Sequence, residues 1–267
     1  MSKSAQDVKR DCRAEALEAL AALYLRLNGY FCITNYLYHR SKQDTSEGLR
    51  TESDLLALRM PHQCETLEDG VNQTNDTELV LKGNDKIDCV IAEVKESAVE
   101  FNPPIRDAHG WKVILDAIRM FGVLPAGDFD DHKSGIAIAK GLHGQIIKPA
   151  WAQIPVAGDE KQRIWVRMLV FARSSAQHAK NRKFISLEHC LDFICGRMRP
   201  GAGCNPYPRG AGFSPWRGIA RKIVEFLDQP CKEPTLDSLL AYLCARDSLA
   251  PFDQCAKAVR QGWVEPG

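Results

Sequence analysis

The chain has 267 residues, 45% of them hydrophobic and 26% charged, with a formal net charge of +1. That is enough for one substantial core with a smaller unit attached, and it folds without needing metals or disulfides. The Met1 end carries no apolar signal-peptide core and no apolar run is long enough to cross a bilayer, which excludes a membrane partner and leaves a cytoplasmic chain as the expectation. The ten cysteines are scattered without a C-x-x-C pair and fit reduced thiols; Cys190, Cys195 and Cys204 lie near His189 but match no usual zinc spacing.

Residues 13–27, RAEALEALAALYLRL, are rich in Ala and Leu and run into Asn28-Gly29, which predicts a first helix and its stop. Residues 30–39 (YFCITNYLYH) are aromatic and β-branched, and 52–60 (ESDLLALRM) end at Pro61; both read as strands. Residues 62–86 are polar and acidic and look like a long excursion or hairpin tip, and DCVIAEVK (88–95) is a third strand. After Pro103-Pro104, residues 107–122 place Trp111, Ile114, Leu115, Ile118 and Phe121 at helical spacing. Residues 150–157 and 163–172 read as a hairpin or two further strands, 186–198 as a helix, 196–218 as a Gly/Pro-rich loop, and two or three short helices finish the chain.

The third strand ends oddly, because its apolar run passes straight into Glu93-Val94-Lys95. Side chains alternate across a strand, so Glu93 and Lys95 share one face and Val94 takes the other. Burying either charge unpaired would cost several kcal/mol, so such a pair belongs where a strand emerges at a cleft. A plain i,i+2 salt bridge at a sheet edge accounts for an isolated E-x-K. Asp54, inside the preceding apolar strand, adds a second carboxylate. If the two strands are antiparallel neighbours, Asp54 and Glu93 come close enough to share a hard divalent cation, with Lys95 beside its water.

In this order of helix, strand, strand with Asp, strand with E-x-K and helix, the chain resembles the PD-(D/E)xK nuclease superfamily, the restriction-endonuclease-like fold. TESDLLALR and VIAEVKES look like its two signature strands, nearest to the Holliday-junction-resolving and Mrr-type branches, and the resemblance covers roughly residues 12–122. It implies an α/β (α+β) fold with a mixed central sheet flanked by helices. Residues 1–175 would form the nuclease-like domain and 176–267 a basic loop with a mostly helical C-terminal extension. Ser53 stands where the family name has Pro, and 38 residues separate Asp54 from Glu93.

The resemblance further implies a Mg²⁺- or Mn²⁺-dependent DNA endonuclease serving defence, repair or mobile elements. Asp54, Glu93 and the Val94 carbonyl would be metal ligands, and Lys95 would orient the attacking water and offset charge on the phosphate. Relatives often add a Glu on the first helix about eleven residues before a Gly-aromatic pair. Glu18 meets that spacing from Gly29-Tyr30, with Glu15 the competing choice. Glu52 is an auxiliary ligand or a solvated strand-entry charge, and Glu96 and His109 read as surface residues. The alternative is a catalytically silent nuclease-fold protein that binds nucleic acid or acts as a scaffold.

Residues 161–224 hold thirteen Lys and Arg against Glu188 and Asp192 alone, a net +11 that leaves −10 for the rest of the chain. Such a block points to DNA, duplex, branched or single-stranded. Arg163, Arg167, Lys180, Arg182, Lys183, Arg197, Arg199, Arg209 and Arg217 are the candidate contacts. Arg163, Trp165 and Arg167 would share one strand face as a channel wall, while Tyr207, Phe213 and Trp216 punctuate the loop. Taken singly, each arginine also fits a solvated loop, and Phe213 and Trp216 fit packing against the next helix. A homodimer, or membership of a larger complex, is compatible with a two-strand substrate.

Overall fold

The computed structural model describes residues 5–37, 52–63, 74–81, 86–124, 127, 134–146, 151–155, 164–198, 218–227 and 234–245. Helix α1 (Ala5–Leu27) precedes strands β1 (Phe31–Leu37), β2 (Glu52–Arg59) and β3 (Ile87–Lys95). Helices α2 (Pro103–Arg106), α3 (Gly110–Phe121) and α4 (Ser134–Ile146) lead to β4 (Trp151–Pro155) and β5 (Ile164–Ala172). The two-residue strand β6 (Ile185–Ser186) runs into α5 (Leu187–Met198), and α6 (Gly218–Leu227) and α7 (Leu236–Ala245) follow.

The strands form one mixed sheet in the order β1-β2-β3-β5-β4, with β6 beside the end of β5. β1, β2 and β3 make an antiparallel meander, and β3 pairs with β5 in parallel. A parallel pair needs a crossover, here supplied by α3, α4 and β4. β4 and β5 pair antiparallel, as the hairpin expectation had it.

Strand alternation divides the core into two layers. Leu55, Ala57, Val90, Ala92, Leu169 and Phe171 face α1, α5, α6 and α7. Leu56, Cys89, Ile91, Val166, Met168 and Val170 face α3 and α4. Helix α1 ends where Asn28-Gly29 predicts: the Asn28 side-chain amide donates to the Tyr24 carbonyl at 2.8 Å, and Gly29 takes φ +82°. Across the expected division at 175/176, β6 pairs with β5, and α5, α6 and α7 share one core with α1 and the sheet.

Helix α4 arises where the sequence carries no clean period, because two glycines, Gly141 and Gly144, interrupt it at about 1 kcal/mol each relative to Ala. At Gly141 the helix gains a close approach to β4, since a Cβ there would stand 2.6 Å from Ile154 Cδ1.

At the N-terminal end of β3 a fully buried carboxylate, Asp88, meets two arginines. Arg167 donates to both its oxygens, through Nε at 2.8 Å and through Nη2, and Arg59 Nη2 lies 3.5 Å away. The Tyr30 hydroxyl donates to Asp88 and accepts from Arg167 at 2.7 Å. Arg59 reaches on to the Leu79 carbonyl at 3.0 Å, pinning the 74–81 segment over the sheet end. Burial lowers the Arg167 pKa, but Asp88 outweighs it and holds the guanidinium charged.

This corrects two of the expected DNA contacts. Arg167 is 1% exposed and spends its charge on Asp88; Arg197 is equally buried, donating to the Thr74 carbonyl and lying over the Phe193 ring. Neither can meet a phosphate backbone. Arg163, Arg199, Arg209 and Arg217, with Tyr207, Phe213 and Trp216, lie outside the described residues. Removing one partner of a buried pair strands the other, so Asp88→Ala is expected to lower stability by about 3–5 kcal/mol in urea unfolding.

Candidate functional site

The apolar run of β3 gives way to charge at its C-terminal end. Leu55 pairs with Ala92, and one further step of the antiparallel register sets Asp54 opposite Glu93. Ser53, buried beside Asp54, donates through Oγ to the Ala92 carbonyl at 3.2 Å and helps keep the two strands joined there. By parity Asp54, Glu93 and Lys95 lie on the same sheet face as Leu56 and Ile91, the face covered further on by α3 and α4.

The three side chains converge. Lys95 Nζ lies 2.6 Å from Glu93 Oε2 and 3.3 Å from Asp54 Oδ2. The main-chain N–H of Val94 also donates to Asp54 Oδ2, at 2.6 Å, which clamps that carboxylate onto β3. Glu93 is fully buried and Asp54 is 6% exposed, while the Lys95 side chain, 22% exposed, connects the group to the surface. Burial by itself would pull the Lys95 pKa down, but Glu93 and then Asp54 outweigh it and hold the ammonium above its ordinary range.

Both carboxylates therefore already contact one cation, the ammonium, and that shared position is the observation against which a divalent ion is judged. Two carboxylate oxygens and a neighbouring main-chain carbonyl at Val94 are hard donors of the type Mg²⁺ and Mn²⁺ take, with water completing the shell. Among the described residues no group of three or more acidic, His or Cys side chains gathers to hold an ion. Glu18 is half-buried on α1, which packs against the sheet face opposite the one that Asp54 and Glu93 occupy. Glu15, exposed on the same helix, borders a groove of about 400 Å³ with Ala19, Arg26, Thr34 and Ile219.

No family model, no curated protein and no solved structure matches the chain. Among the described residues no helix is long and apolar enough to cross a membrane.

The rim around the site comes from two loops. Gln177 N donates to the Ser97 carbonyl at 2.8 Å and Val99 N to the Gln177 carbonyl at 2.9 Å, so the segment after β5 is tied to the segment after β3. Lys180 and Lys183 are exposed on that segment. Arg182 is half-buried and donates to the Val99 carbonyl at 2.6 Å, so it secures the loop. Glu96 turns to the α1 side, where Arg13 Nε donates to it at 3.2 Å and Arg173 lies 3.6 Å away; Arg13 above all holds its carboxyl below the usual range. His109 precedes α3, with its main-chain N–H donating to Asp107. The Glu52 side chain lies outside the described residues.

Two polar groups escaped the sequence reading. Asp88 carries the same signal as Asp54, a carboxylate inside an apolar strand. The contact of Asp76 Oδ2 with His189 Nε2 at 2.8 Å spans 113 positions, which no local pattern announces.

Lys95→Met leaves Asp54 and Glu93 facing each other without the shared ammonium. The variant is expected to lose about 3 kcal/mol in a chelating buffer and to recover stability with Mn²⁺ or Mg²⁺ more than the wild type does, read by thermal melting. A lysine whose folded pKa is raised adds stability that is complete below its unfolded value of 10.5 and is lost as pH rises through the folded one. The difference in urea stability between wild type and Lys95→Met is thus expected to stay level from about pH 7 to 9.5 and to shrink only above about 10.5.

Proposed function

We propose that the chain is a PD-(D/E)xK-type nuclease, a Mg²⁺- or Mn²⁺-dependent endonuclease that hydrolyses phosphodiester bonds of DNA. The observation that carries this reading is the ammonium of Lys95 bonded to both Asp54 and Glu93 at the ends of neighbouring antiparallel strands. The element order supports it: a helix, a three-strand meander, and a helical crossover to a strand parallel to β3, with the first helix and the crossover helices on opposite faces.

Asp54 and Glu93, with the Val94 carbonyl, would hold the ion. When bound, it supplies Lewis-acid stabilisation of the phosphate and lowers the pKa of a bound water. Asp54 is fixed for this by the Val94 N–H, and Glu93 by the packed strand around it. Lys95, kept protonated by the carboxylates, is suited to orient water and to offset charge on the phosphate, and unsuited to accept a proton. Lys180 and Lys183 are exposed on the joined rim, where their charge would lie near a phosphate backbone at the site.

The burial of Glu93 and Asp54 favours a second reading, in which the ion-paired group only holds the strand ends together and the fold binds nucleic acid or partners without turnover. Plasmid nicking in Mn²⁺ separates the two. Under the nuclease reading Lys95→Ala and Asp54→Asn are expected to lose at least about 100-fold in rate while folded. Equal nicking by wild type and both variants, or DNA retention with no metal-stimulated nicking by any of them, would sink it.

A further inference from the structure

Ten cysteines in a chain read as reduced leave open which thiols stand close enough to react. Among the described residues Cys89 and Cys190 are buried, and burial pushes both thiols up, with Cys190 well above its ordinary value. Those two are inert core residues. Cys12 and Cys244 differ. They are 232 positions apart, one in the first half of α1 and the other near the end of α7, and their Sγ atoms lie 3.0 Å apart. Both are partly exposed.

We propose that Cys12 and Cys244 form an oxidisable dithiol, which a disulfide of the glutathione class converts to an intramolecular disulfide joining α1 to α7. The sulfurs need to approach by only about 1 Å to reach the bonded length of roughly 2.05 Å. The helices that carry them already belong to one hydrophobic core, so no rearrangement of the fold is required. Arg13, next to Cys12 in sequence, also interacts electrostatically with Cys244.

The chemistry balances. One protein thiolate attacks glutathione disulfide, forming a mixed disulfide and releasing one glutathione thiolate. The second protein thiolate then attacks the protein-side sulfur and releases the other. The two protein thiols give up two electrons and two protons, and one glutathione disulfide becomes two glutathione molecules.

The bond would be felt at the strand end that carries Lys95. Arg13 holds Glu96, the residue after Lys95, and Arg173 bridges Glu96 to Asp237 in the first turn of α7 at 2.9 Å. Oxidation would therefore fix both ends of this ion-pair chain, and thiol reduction would release them.

The test uses the full-length protein, incubated with glutathione disulfide, blocked with N-ethylmaleimide and digested for mass spectrometry, beside a dithiothreitol-reduced control. The expected result is the loss of two of the ten thiols, a cross-linked peptide pair carrying Cys12 and Cys244, and a melting temperature higher by on the order of 10 °C. Cys12→Ser and Cys244→Ala should each abolish the linked peptide and the shift. If one variant fails to fold by circular dichroism, the other and the wild-type peptide map still decide. Ten free thiols after oxidation, only mixed disulfides with glutathione, or a linkage between other cysteines would overturn the proposal.

Discussion

Strand β3 is buried on both faces and carries charge at both ends, and the requirement that each charge find a partner organises much of the fold. Its interior, Cys89 to Ala92, supplies one apolar side chain after another to two different cores. At its start Asp88 points to the α1 face and is met by Arg59, Arg167 and Tyr30. At its end Glu93 and Lys95 point to the other face and are met by each other and by Asp54. An unpaired carboxylate in either place would cost several kcal/mol, about 3–5 by the measured effect of breaking buried pairs, so neither group tolerates loss of its partner.

The two ends differ in what surrounds the charge. Around Asp88 the partners are guanidinium groups fixed by further bonds to main-chain carbonyls, which gives a closed network with nothing left to exchange. Around Asp54 and Glu93 the shared cation is a primary ammonium on a flexible stem that extends to the surface, with the Val94 N–H also bonded to Asp54. A compact point charge on such a stem can be displaced or can act on a neighbouring anion, whereas a bidentate arginine is a structural tie. Under the proposed function, chemistry would belong to the C-terminal end of the strand, while the closed network at the N-terminal end acts as an anchor.

The sequence made the skeleton legible wherever period and punctuation agreed. Asn28-Gly29 marked the end of α1, Pro61 followed the end of β2, and the Trp111 to Phe121 spacing marked α3. The convergence of Asp54, Glu93 and Lys95 was legible because strand parity is a local rule. What failed were properties decided by distant residues. Helix α4 was hidden by its glycines, Gly141 and Gly144. Arg167 and Arg197 looked like surface charge because the acceptors that bury them, Asp88 and the Thr74 carbonyl, lie 79 and 123 positions away.

That last failure changes how the basic block is to be read. A net +11 over 161–224 counts Arg167 and Arg197, whose charge is spent inside the core, and Arg182, whose guanidinium secures the loop after β3. The electrostatic footprint of a segment is the part of its charge that reaches water, so the block overstates its own pull on a polyanion. Within the described part of the block, Lys180 and Lys183 are exposed on the segment bonded to Ser97 and Val99, just beyond Lys95, and Arg221 is exposed on α6, where it pairs with Glu225. Under the proposed function, the surface that a phosphate backbone would meet is not the face of β5, where Arg167 is buried, and the rim at the C-terminal ends of β3 and β5, where Asp54, Glu93 and Lys95 stand, is the better placed one.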